Sequence, residues 1–271
     1  MNIIYIYFIY FLIYSFGGWI CETLYCLIVD KQYINRGFLK GPFCPVYGFG
    51  ALTVIIILTP ISNNIIILYL SAMACASILE YITGLLLETV FNLKWWDYSN
   101  CRFNIKGRVC LLNSILFGIL ALILVEFIHP LLSEFIRKMP VDIILGIFSI
   151  SSLYFLIDTV TTAYKVLQLS GKLKEMYILL EEIKEKSETY KGILQHNINK
   201  FDGLIDQQND KIVFAKEQIN KLKINLEKII MKNKSSNKRI FKAFPNIKSL
   251  KYQYSLERLK EELKKIRKNK E

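Results

Sequence analysis

Carboxylates inside apolar runs are the residues of this chain best placed for chemistry. Glu22, Glu80 and Asp158 each lie roughly 15 to 19 residues inside such a run, which a helix climbs at about 1.5 Å per residue. Glu88 follows Glu80 by two helical turns. A carboxylate near the middle of a bilayer costs about 2.5 to 3.5 kcal/mol on insertion scales. We therefore expect these side chains to face the interior of a helix bundle and to find basic partners there.

Residues four apart lie on one face of a helix, so these carboxylates share their faces with small residues that allow close helix contact. Gly18 precedes Glu22 by four residues, and Gly84 lies midway between Glu80 and Glu88. The cations available as partners are Arg36, Lys40, Arg102, Arg108 and Lys165. The alternative is a glutamate that extends its carboxylate to the headgroup region. That alternative is equally open for Glu88 and less favoured for Glu22 and Glu80.

A dense stretch after the first apolar run, INRGFLKGPFCPVYG (34–48), has the composition of a shaped loop. Its glycines permit close approaches, and its two prolines fix φ and disfavour helix at the residues before them. Asn35, Arg36 and Lys40 supply hydrogen-bond donors and positive charge, while aromatic residues supply apolar surface. We predict a folded plug with a polar tip at a membrane surface.

A second dense stretch, WWDYSNCRFNIKGRVC (95–110), lies in the third loop. Its two tryptophans fit the aromatic belt at a headgroup boundary, which is an equally open interpretation of those two residues. A belt does not account for Asp97, Asn104 and Arg108. We expect Asp97 to form an ion pair with Arg36 of the first loop and so to help close this end of the bundle.

Five apolar segments position these residues, each close to the roughly 20 residues that a helix needs to cross a bilayer. They span residues 3–29, 44–61, 65–91, 110–128 and 141–165. The first segment lacks the charged start and the cleavage site of a secretory signal, so we expect it to be retained. The predicted fold class is all-α, a polytopic membrane helix bundle.

Loop charge predicts the orientation of this bundle. The first and third loops are rich in Lys and Arg, whereas the second is uncharged and the fourth holds only Arg137 and Lys138. By the positive-inside rule the N-terminus lies outside, and the first loop, the third loop and the C-terminal tail are cytosolic. We therefore expect a multi-pass protein of the cell membrane. The candidate binding residues at its cytosolic mouth are Glu22, Asn35, Arg36, Lys40, Glu80, Asp97, Asn104, Arg108 and Asp158.

The chain changes character near residue 165, which predicts two domains, a transmembrane bundle over 1–165 and a helical cytosolic tail over 166–271. Residues 1–164 hold nine basic and nine acidic residues, so the formal net charge of +12 comes entirely from the remainder. That basic tail favours the anionic surface of membrane lipid as a partner. Nucleic acid is a weaker alternative, because positive charge alone carries no sequence readout.

Apolar residues in alternating steps of four and three predict a coiled coil in the tail, with Gln208 as its polar position. The seam comprises Leu194, Ile198, Phe201, Ile205, Gln208, Ile212, Ala215, Ile219, Leu222, Leu226 and Ile229. This helix pairs either with a last helix near 249–270 of the same chain or with a second subunit, which would make a homo-oligomer. The two arrangements are equally open.

The chain contains none of several sequence motifs that mark nucleotide hydrolysis, serine hydrolases or metal sites. There is no GxxxxGK[ST], GxSxG or HExxH pattern and no CxxC pair. The two histidines lie in a predicted outer loop and in the tail. We predict no metal site and no bound cofactor, and an enzyme on this chain would have to work with carboxylates and arginines.

Five motifs stand together between residues 17 and 110. They are GGWICET (17–23), NRGFLKGPFCPVYGFG (35–50), LEYITG (79–84), WWDYS (95–99) and FNIKGRVC (103–110). In this combination the chain resembles the family of small bacterial membrane proteins described as type IV ABC-transporter permeases. The tail resembles that family chiefly in RIFKAFP (239–245).

The resemblance implies a permease-like component of a transport system in the bacterial inner membrane. Because the chain lacks a phosphate loop, a permease of this kind needs a separate ATPase subunit, docked on the cytosolic loops and tail. Five spans are few for a closed pathway, which favours a homodimer or larger assembly.

Two functions of other classes are weighed against transport. An integral membrane enzyme or binder would hold a lipid headgroup or small anion with Arg36, Arg102 and Arg108, and would use Glu22 or Glu80 as acid or base. A scaffold would anchor through the bundle and recruit partners through the coiled-coil tail.

Overall fold

The computed structural model describes residues 3–29, 31–58, 64–199, 205–233 and 238–268. Most of these residues are in helices, and four two-residue strands lie in the segments between helices. The helices are α1 (Ile3–Val29), α2 (Pro45–Thr53), α3 (Ile65–Phe91), α4 (Leu111–Ile123), α5 (His129–Arg137), α6 (Val141–Asn199), α7 (Ile205–Asn233), α8 (Lys238–Ala243) and α9 (Gln253–Lys268). The strands are β1 (Leu93–Lys94), β2 (Asn104–Ile105), β3 (Val109–Cys110) and β4 (Lys248–Ser249).

Within the described residues, four helices are long and apolar enough to cross a membrane. They cover Ile3–Val29, Ile65–Phe91, Leu111–Arg137 and Val141–Gly192, and a shorter apolar helix covers Pro45–Leu58. The third of them combines α4 and α5 through a π-helical turn at Leu124–Ile128. The chain is therefore an all-α, multi-pass membrane protein. The count of five spans and the outward N-terminus stay predictions.

The shorter helix α2 begins half way along α1. The backbone N–H of Cys44 donates to the Ser15 carbonyl at 2.9 Å, and Ser15 lies near the middle of α1. Pro45 then starts α2, where the missing N–H of a proline costs nothing. A π-helical turn, Val54–Leu58, extends α2. The loop before Cys44 therefore lies beside the second half of α1, as the predicted plug requires.

Glycines set how closely these helices pack. A Cβ at Gly18 of α1 would collide with the ring of Tyr47, and one at Gly48 of α2 would collide with Ser15 and Phe11 of α1. At these two glycines the backbones of α1 and α2 approach each other closely, as membrane helices commonly do at small residues.

Two buried clusters hold the bundle together. One joins α1, α2, α5 and α6 and comprises Ile9, Tyr10, Tyr14, Ala51, Ile55, Ile136 and Ile144. The other joins α2 and its π-helical extension with α3 and α4 and comprises Val54, Leu58, Leu68, Ala72 and Ala121. Apolar contact on both sides fixes α2 and its π-helical extension in the bundle.

The chain forms two compact units. The first contains Met1–Tyr164 together with Arg239–Lys248, and the second contains Lys165–Lys238 together with Ser249–Glu271. The division into a transmembrane bundle over 1–165 and a cytosolic tail over 166–271 stays a prediction. The return of Arg239–Lys248 to the first unit has no counterpart in the sequence prediction.

In the second unit, apolar residues at helical spacing line one face of α6. Val166, Leu169, Leu173, Met176 and Leu180 are buried there. The side chain of Lys186 on α6 donates to Gln218 on α7 at 2.5 Å, and the rings of Tyr177 and Tyr252 lie 5.5 Å apart. These contacts join α6 to α7 and to the residue just before α9 within one chain.

The predicted coiled-coil seam is described only in its second half. On α7, Ala215, Ile219, Leu222 and Ile229 are partly buried and Leu226 is buried, while most of the residues between them are exposed. The seam positions from Leu194 to Ile212 lie outside the described side chains. Pairing of the tail between subunits stays a prediction.

Candidate functional site

Asp158 on α6 anchors the loop that precedes α2. Its carboxylate accepts the backbone N–H groups of Lys40 at 3.1 Å and Gly41 at 2.7 Å, and Thr162 adds a hydroxyl donor at 3.3 Å. Asp158 is buried, whereas the Lys40 side chain is exposed. Two backbone N–H groups thus bind the buried Asp158 carboxylate. The sequence prediction was that a basic side chain would be its partner.

Asn35 shapes the loop from inside. Its side-chain oxygen accepts from the indole N–H of Trp19 at 2.9 Å and from the backbone of Gly37 at 3.3 Å. Its amide nitrogen donates to the Lys40 carbonyl at 2.9 Å. Because these hydrogen bonds go to other groups of the protein, we assign Asn35 the role of shaping the loop.

Arg239 closes the same loop from the far end of the sequence. Its guanidinium donates to three successive carbonyls, those of Gly37 at 3.0 Å, Phe38 at 2.8 Å and Leu39 at 2.8 Å. Burial lowers the pKa of Arg239, and the negative charge of Asp158 opposes that shift. A planar group with five N–H donors is suited to bridging several carbonyls at once. Sequence reasoning missed this residue, whose only signal was its place at the start of RIFKAFP.

Glu22 on α1 has two partners. The Arg36 guanidinium lies 3.5 Å from one carboxylate oxygen, and the Tyr47 hydroxyl donates to the other at 2.7 Å. Arg36 also donates to the Cys26 sulfur at 3.4 Å and lies over the Tyr25 ring at 5.5 Å. Burial lowers the pKa of Arg36, but the charge of Glu22 and the contact with Cys26 outweigh burial, and the net shift is upward.

Glu88 near the end of α3 is held by Arg108. Arg108 donates to one oxygen of Glu88 through Nε at 3.0 Å and also through Nη2, and its Nη1 donates to the Tyr81 hydroxyl at 3.1 Å. The hydrogen bond with Glu88 is the largest cause of the raised pKa of Arg108. Both side chains of the pair are largely buried. Glu88 is therefore an ion-paired residue of the bundle, and the headgroup alternative does not describe it.

Asp97 ties the third loop to the returning segment. It accepts from the Lys94 ammonium at 2.7 Å and from the Lys248 ammonium at 2.5 Å. Burial opposes ionisation, but these two hydrogen bonds and those from Ser99 outweigh it and hold the pKa of Asp97 well below its usual range. The expected pair of Asp97 with Arg36 is wrong, because the two residues have other partners.

Asn104 organises the β2–β3 hairpin, which pairs antiparallel with Asn104 opposite Cys110. Its amide donates to the carbonyls of Ser99 and Cys101, and its oxygen accepts from the backbone of Gly107 at 3.0 Å. Gly107 has a φ of +67°, where glycine is favoured, and a side chain there would meet Asp97 and Lys94.

The two tryptophans have different roles. Trp95 is 4 % exposed, and its ring packs against Phe38 at 5.1 Å and Phe244 at 4.8 Å. Trp96 donates from its indole N–H to the Arg108 carbonyl at 2.8 Å. Trp95 thus joins the first loop, the third loop and the returning segment, which is a core role that the interface belt does not describe.

Glu80, one turn before Gly84 on α3, stands apart from the other carboxylates. It is 7 % exposed, and its Oε2 atom has no hydrogen-bond partner among the described residues. The polar side chains that bond to Glu80 are those of Tyr98 and Asn113. Burial is the main cause of the raised pKa of Tyr98, and the charges of Glu80 and Glu22 add to it.

The predicted cluster therefore consists of separate, internally bonded groups. Glu22 with Arg36, Glu88 with Arg108, and Asp97 with two lysines are ion pairs. Asn35 and Asn104 shape their loops, and Lys40 contributes its backbone. Partners that the predicted cluster did not include are Trp19, Tyr47, Tyr81, Lys94, Tyr98, Asn113, Thr162, Arg239 and Lys248.

These features define a class of protein, a multi-pass helix bundle with a shaped loop and paired carboxylates inside it. The model of a family described as "Putative ABC-transporter type IV" matches residues 9–163, which is more than half of the chain and includes both dense loops. The chain belongs to this family. No curated protein and no solved structure matches it significantly.

Proposed function

We propose that this chain is a permease-like component of an ABC-type transport system and works with a separate ATPase. Family membership supports a role in transport. The observation that carries the proposal is the loop inside the bundle, whose polar backbone is held by buried Asp158 and by Arg239. Non-helical backbone at membrane depth is tolerated only where protein buries it or where it lines a water-filled cavity, and the broken helices of transporters are one example.

A partner ATPase follows from the sequence and has a candidate docking surface. The chain contains no phosphate loop, so hydrolysis has to come from another subunit. At the β2–β3 hairpin, Phe103 is 79 % exposed and Ile105 is 59 % exposed, with Arg102 and Lys106 also exposed beside them. Exposed apolar side chains rimmed by polar residues mark sites of interaction with another protein or with the membrane. We assign this hairpin tip to the ATPase.

The first experiment is purification of the full-length protein in mild detergent, followed by mass spectrometry of the proteins and lipids that co-purify. We expect a stoichiometric ATPase with the wild type, and its loss in a Phe103→Ser, Ile105→Ser double variant. Leu250→Ser, at another exposed apolar residue (55 % exposed), is the matched control and should retain the partner. An ATPase absent from every preparation would contradict the proposal.

Binding of a lipid headgroup or small anion is less favoured by the contacts. Arg36 and Arg108 are already held by Glu22 and Glu88, which leaves Arg102 as the exposed arginine of the three proposed anion contacts. The same purification tests this function with a Glu22→Gln, Arg36→Ala double variant. A lipid or metabolite that is lost in that variant, with no ATPase in the wild type, would favour the binder.

The scaffold function needs a test that spares the first unit. A truncation at residue 170 would remove Arg239 as well as the tail, so loss of function would not isolate the tail. An aspartate substitution at Leu222, a partly buried seam position of α7, alters the predicted seam and leaves Arg239 in place. We further propose that this seam forms a homo-oligomer, and cross-linking of the wild type against that variant tests it.

A further inference from the structure

Glu80 differs from the other inward carboxylates of the first unit in having no cation. Glu22 has Arg36, Glu88 has Arg108, and Asp97 has Lys94 and Lys248. Asp158 has two backbone N–H donors and the hydroxyl of Thr162. In the described part of the chain no basic side chain forms an ion pair with Glu80.

The surroundings of Glu80 disfavour a negative charge. The residue is 7 % exposed, one carboxylate oxygen has no partner among the described residues, and the charge of Glu22 on α1 repels it. A buried ion that lacks a counterion is costly, and such a group commonly becomes neutral instead. Protonation removes the charge and gives the unpartnered oxygen an O–H group.

The groups that face Glu80 can support a proton. From the third loop comes the hydroxyl of Tyr98, and from α4 comes the side-chain amide of Asn113. On its own helix, Glu88 and Tyr81 are both occupied by Arg108. The charge of Glu22 on α1 acts on Glu80, and Glu22 keeps its own cation. Arg108 lies against Gly84, one turn along α3, and is paired with Glu88.

A metal ion fits these surroundings less well than a proton. The described residues contain no group of three or more His, Cys, Asp or Glu side chains that could hold one. One carboxylate beside a phenol and an amide offers few of the oxygen ligands that divalent cations require.

We propose that Glu80 is a proton-binding site, a carboxylic acid that is protonated at neutral pH and exchanges its proton at the mouth of the bundle. In the step, the carboxylate accepts one proton from a hydronium ion, which becomes water, and the neutral acid returns the proton to water on release. In a transport protein, proton binding at this site could be coupled to transport independently of ATP hydrolysis. The inference does not depend on the ATPase and holds or fails independently of it.

Infrared spectroscopy of the full-length protein in lipid vesicles tests the proposal. A protonated carboxyl group gives a C=O band distinct from that of a carboxylate. We expect this band at pH 7, its loss in Glu80→Gln, and its retention in Glu134→Gln, which removes an exposed carboxylate of α5. Absence of the band at pH 7, or its retention in Glu80→Gln, would overturn the proposal.

Labelling of the wild type keeps the test valid if Glu80→Gln fails to fold. Hydrophobic carbodiimides react with protonated carboxyl groups in apolar surroundings. We expect Glu80 to be the main site of modification by mass spectrometry, with a rate that falls as the pH rises. Modification that sodium chloride blocks and choline chloride does not would identify a bound sodium ion and overturn the proton site.

Discussion

At the scale of single residues, the carboxylates of the first unit are distinguished by their partners. Glu80, Glu88 and Asp158 are all nearly inaccessible to solvent. Glu88 has an arginine, Asp158 has backbone amides, and Glu80 has an unpartnered oxygen in the described structure. Equal burial with different partners predicts different responses to substitution, because removing one member of a buried pair leaves an uncompensated charge.

Arg108→Ala should destabilise the bundle by about 3 kcal/mol, because it leaves the Glu88 carboxylate buried without its cation. Thermal unfolding in detergent measures the change. The double variant Arg108→Ala, Glu88→Gln removes both charges and should recover part of the loss. Lys138→Ala, at the exposed pair with Glu134, is the control and should change stability by less than about 0.5 kcal/mol. A double variant no more stable than Arg108→Ala would contradict the ion pair.

The pKa of Asp97 predicts a dependence of stability on pH. Because the folded-state pKa lies below the unfolded value of about 3.9, the stabilisation is present above roughly pH 4 and is lost as the pH falls further. Asp97→Asn should therefore unfold at a lower temperature than the wild type at pH 6. The difference between the two unfolding temperatures should become smaller as the pH falls toward 3. Asp142→Asn, at an exposed carboxylate of α6, is the control. A gap that does not change with pH would argue against charged pairing at Asp97.

Sequence reasoning found which residues are polar inside the bundle but not what holds them. Helical spacing and depth were sufficient to single out Glu22, Glu80 and Asp158. The amides of Lys40 and Gly41 were not predictable, because every non-proline residue carries the same backbone donor and only the folded loop aims it. Arg239 lies about 200 residues from the loop it holds, and no local pattern connects the two.

At the scale of elements, the loop before α2 is fixed from two sides, by Asp158 at its amides and by Arg239 at its carbonyls. Arg239→Ala should lower the free energy of opening this loop by about 2 kcal/mol, which is roughly 30-fold in exchange rate. Hydrogen exchange of Gly37 to Gly41 measures it. Arg239→Lys should rescue little, because an ammonium lacks the planar set of donors.

The control for Arg239 is Lys251→Ala, at an exposed lysine just after β4. It removes one positive charge of the same part of the sequence and should leave exchange of the loop unchanged. Equal exchange in Arg239→Ala and the wild type would show that Asp158 alone fixes the loop.

Alanine substitutions at two adjacent glycines of α1 test how closely α2 packs against α1. Gly18→Ala should destabilise the bundle by about 1 to 3 kcal/mol, because the Tyr47 ring occupies the space of the new methyl group. Gly17→Ala meets nothing within 4 Å in the described structure and should be neutral or stabilising by up to about 1 kcal/mol. Thermal unfolding compares them. Similar shifts in the two variants would contradict close packing of α1 and α2 at Tyr47.

At the scale of the whole molecule, the second crossing decides on which sides the termini lie. Hydropathy predicted a span over 44–61, and the structure describes a helix over Pro45–Leu58 of that segment, while residues 59–61 lie outside the described residues. Composition could not show how the loop before Cys44 packs, because its prolines, glycines and polar residues carry no hydropathy signal. Its depth depends on the bond from Cys44 to Ser15, which is a tertiary contact.

The contacts favour a complete crossing by this loop and helix together. Ile55 packs in the cluster of Ile9 and Tyr10, toward the N-terminal end of α1, so the chain returns along α1 after Cys44. At the other end, the ring of Phe38 in the loop lies 5.8 Å from that of Phe91, the last residue of α3. Loop and helix thus have contacts near both ends of the bundle. Five crossings with the termini on opposite sides stay a prediction.

Protease protection in intact cells tests this topology. An N-terminal tag should be cleaved from outside, whereas a fluorescent protein fused to the C-terminus should remain intact and fluoresce. Permeabilised cells, in which both tags are accessible, are the control. Tags on the same side would mean that the loop and α2 enter and leave the membrane at one face. The candidate site would then lie at the end of a four-span bundle, and the hairpin assigned to the ATPase would have to be placed anew.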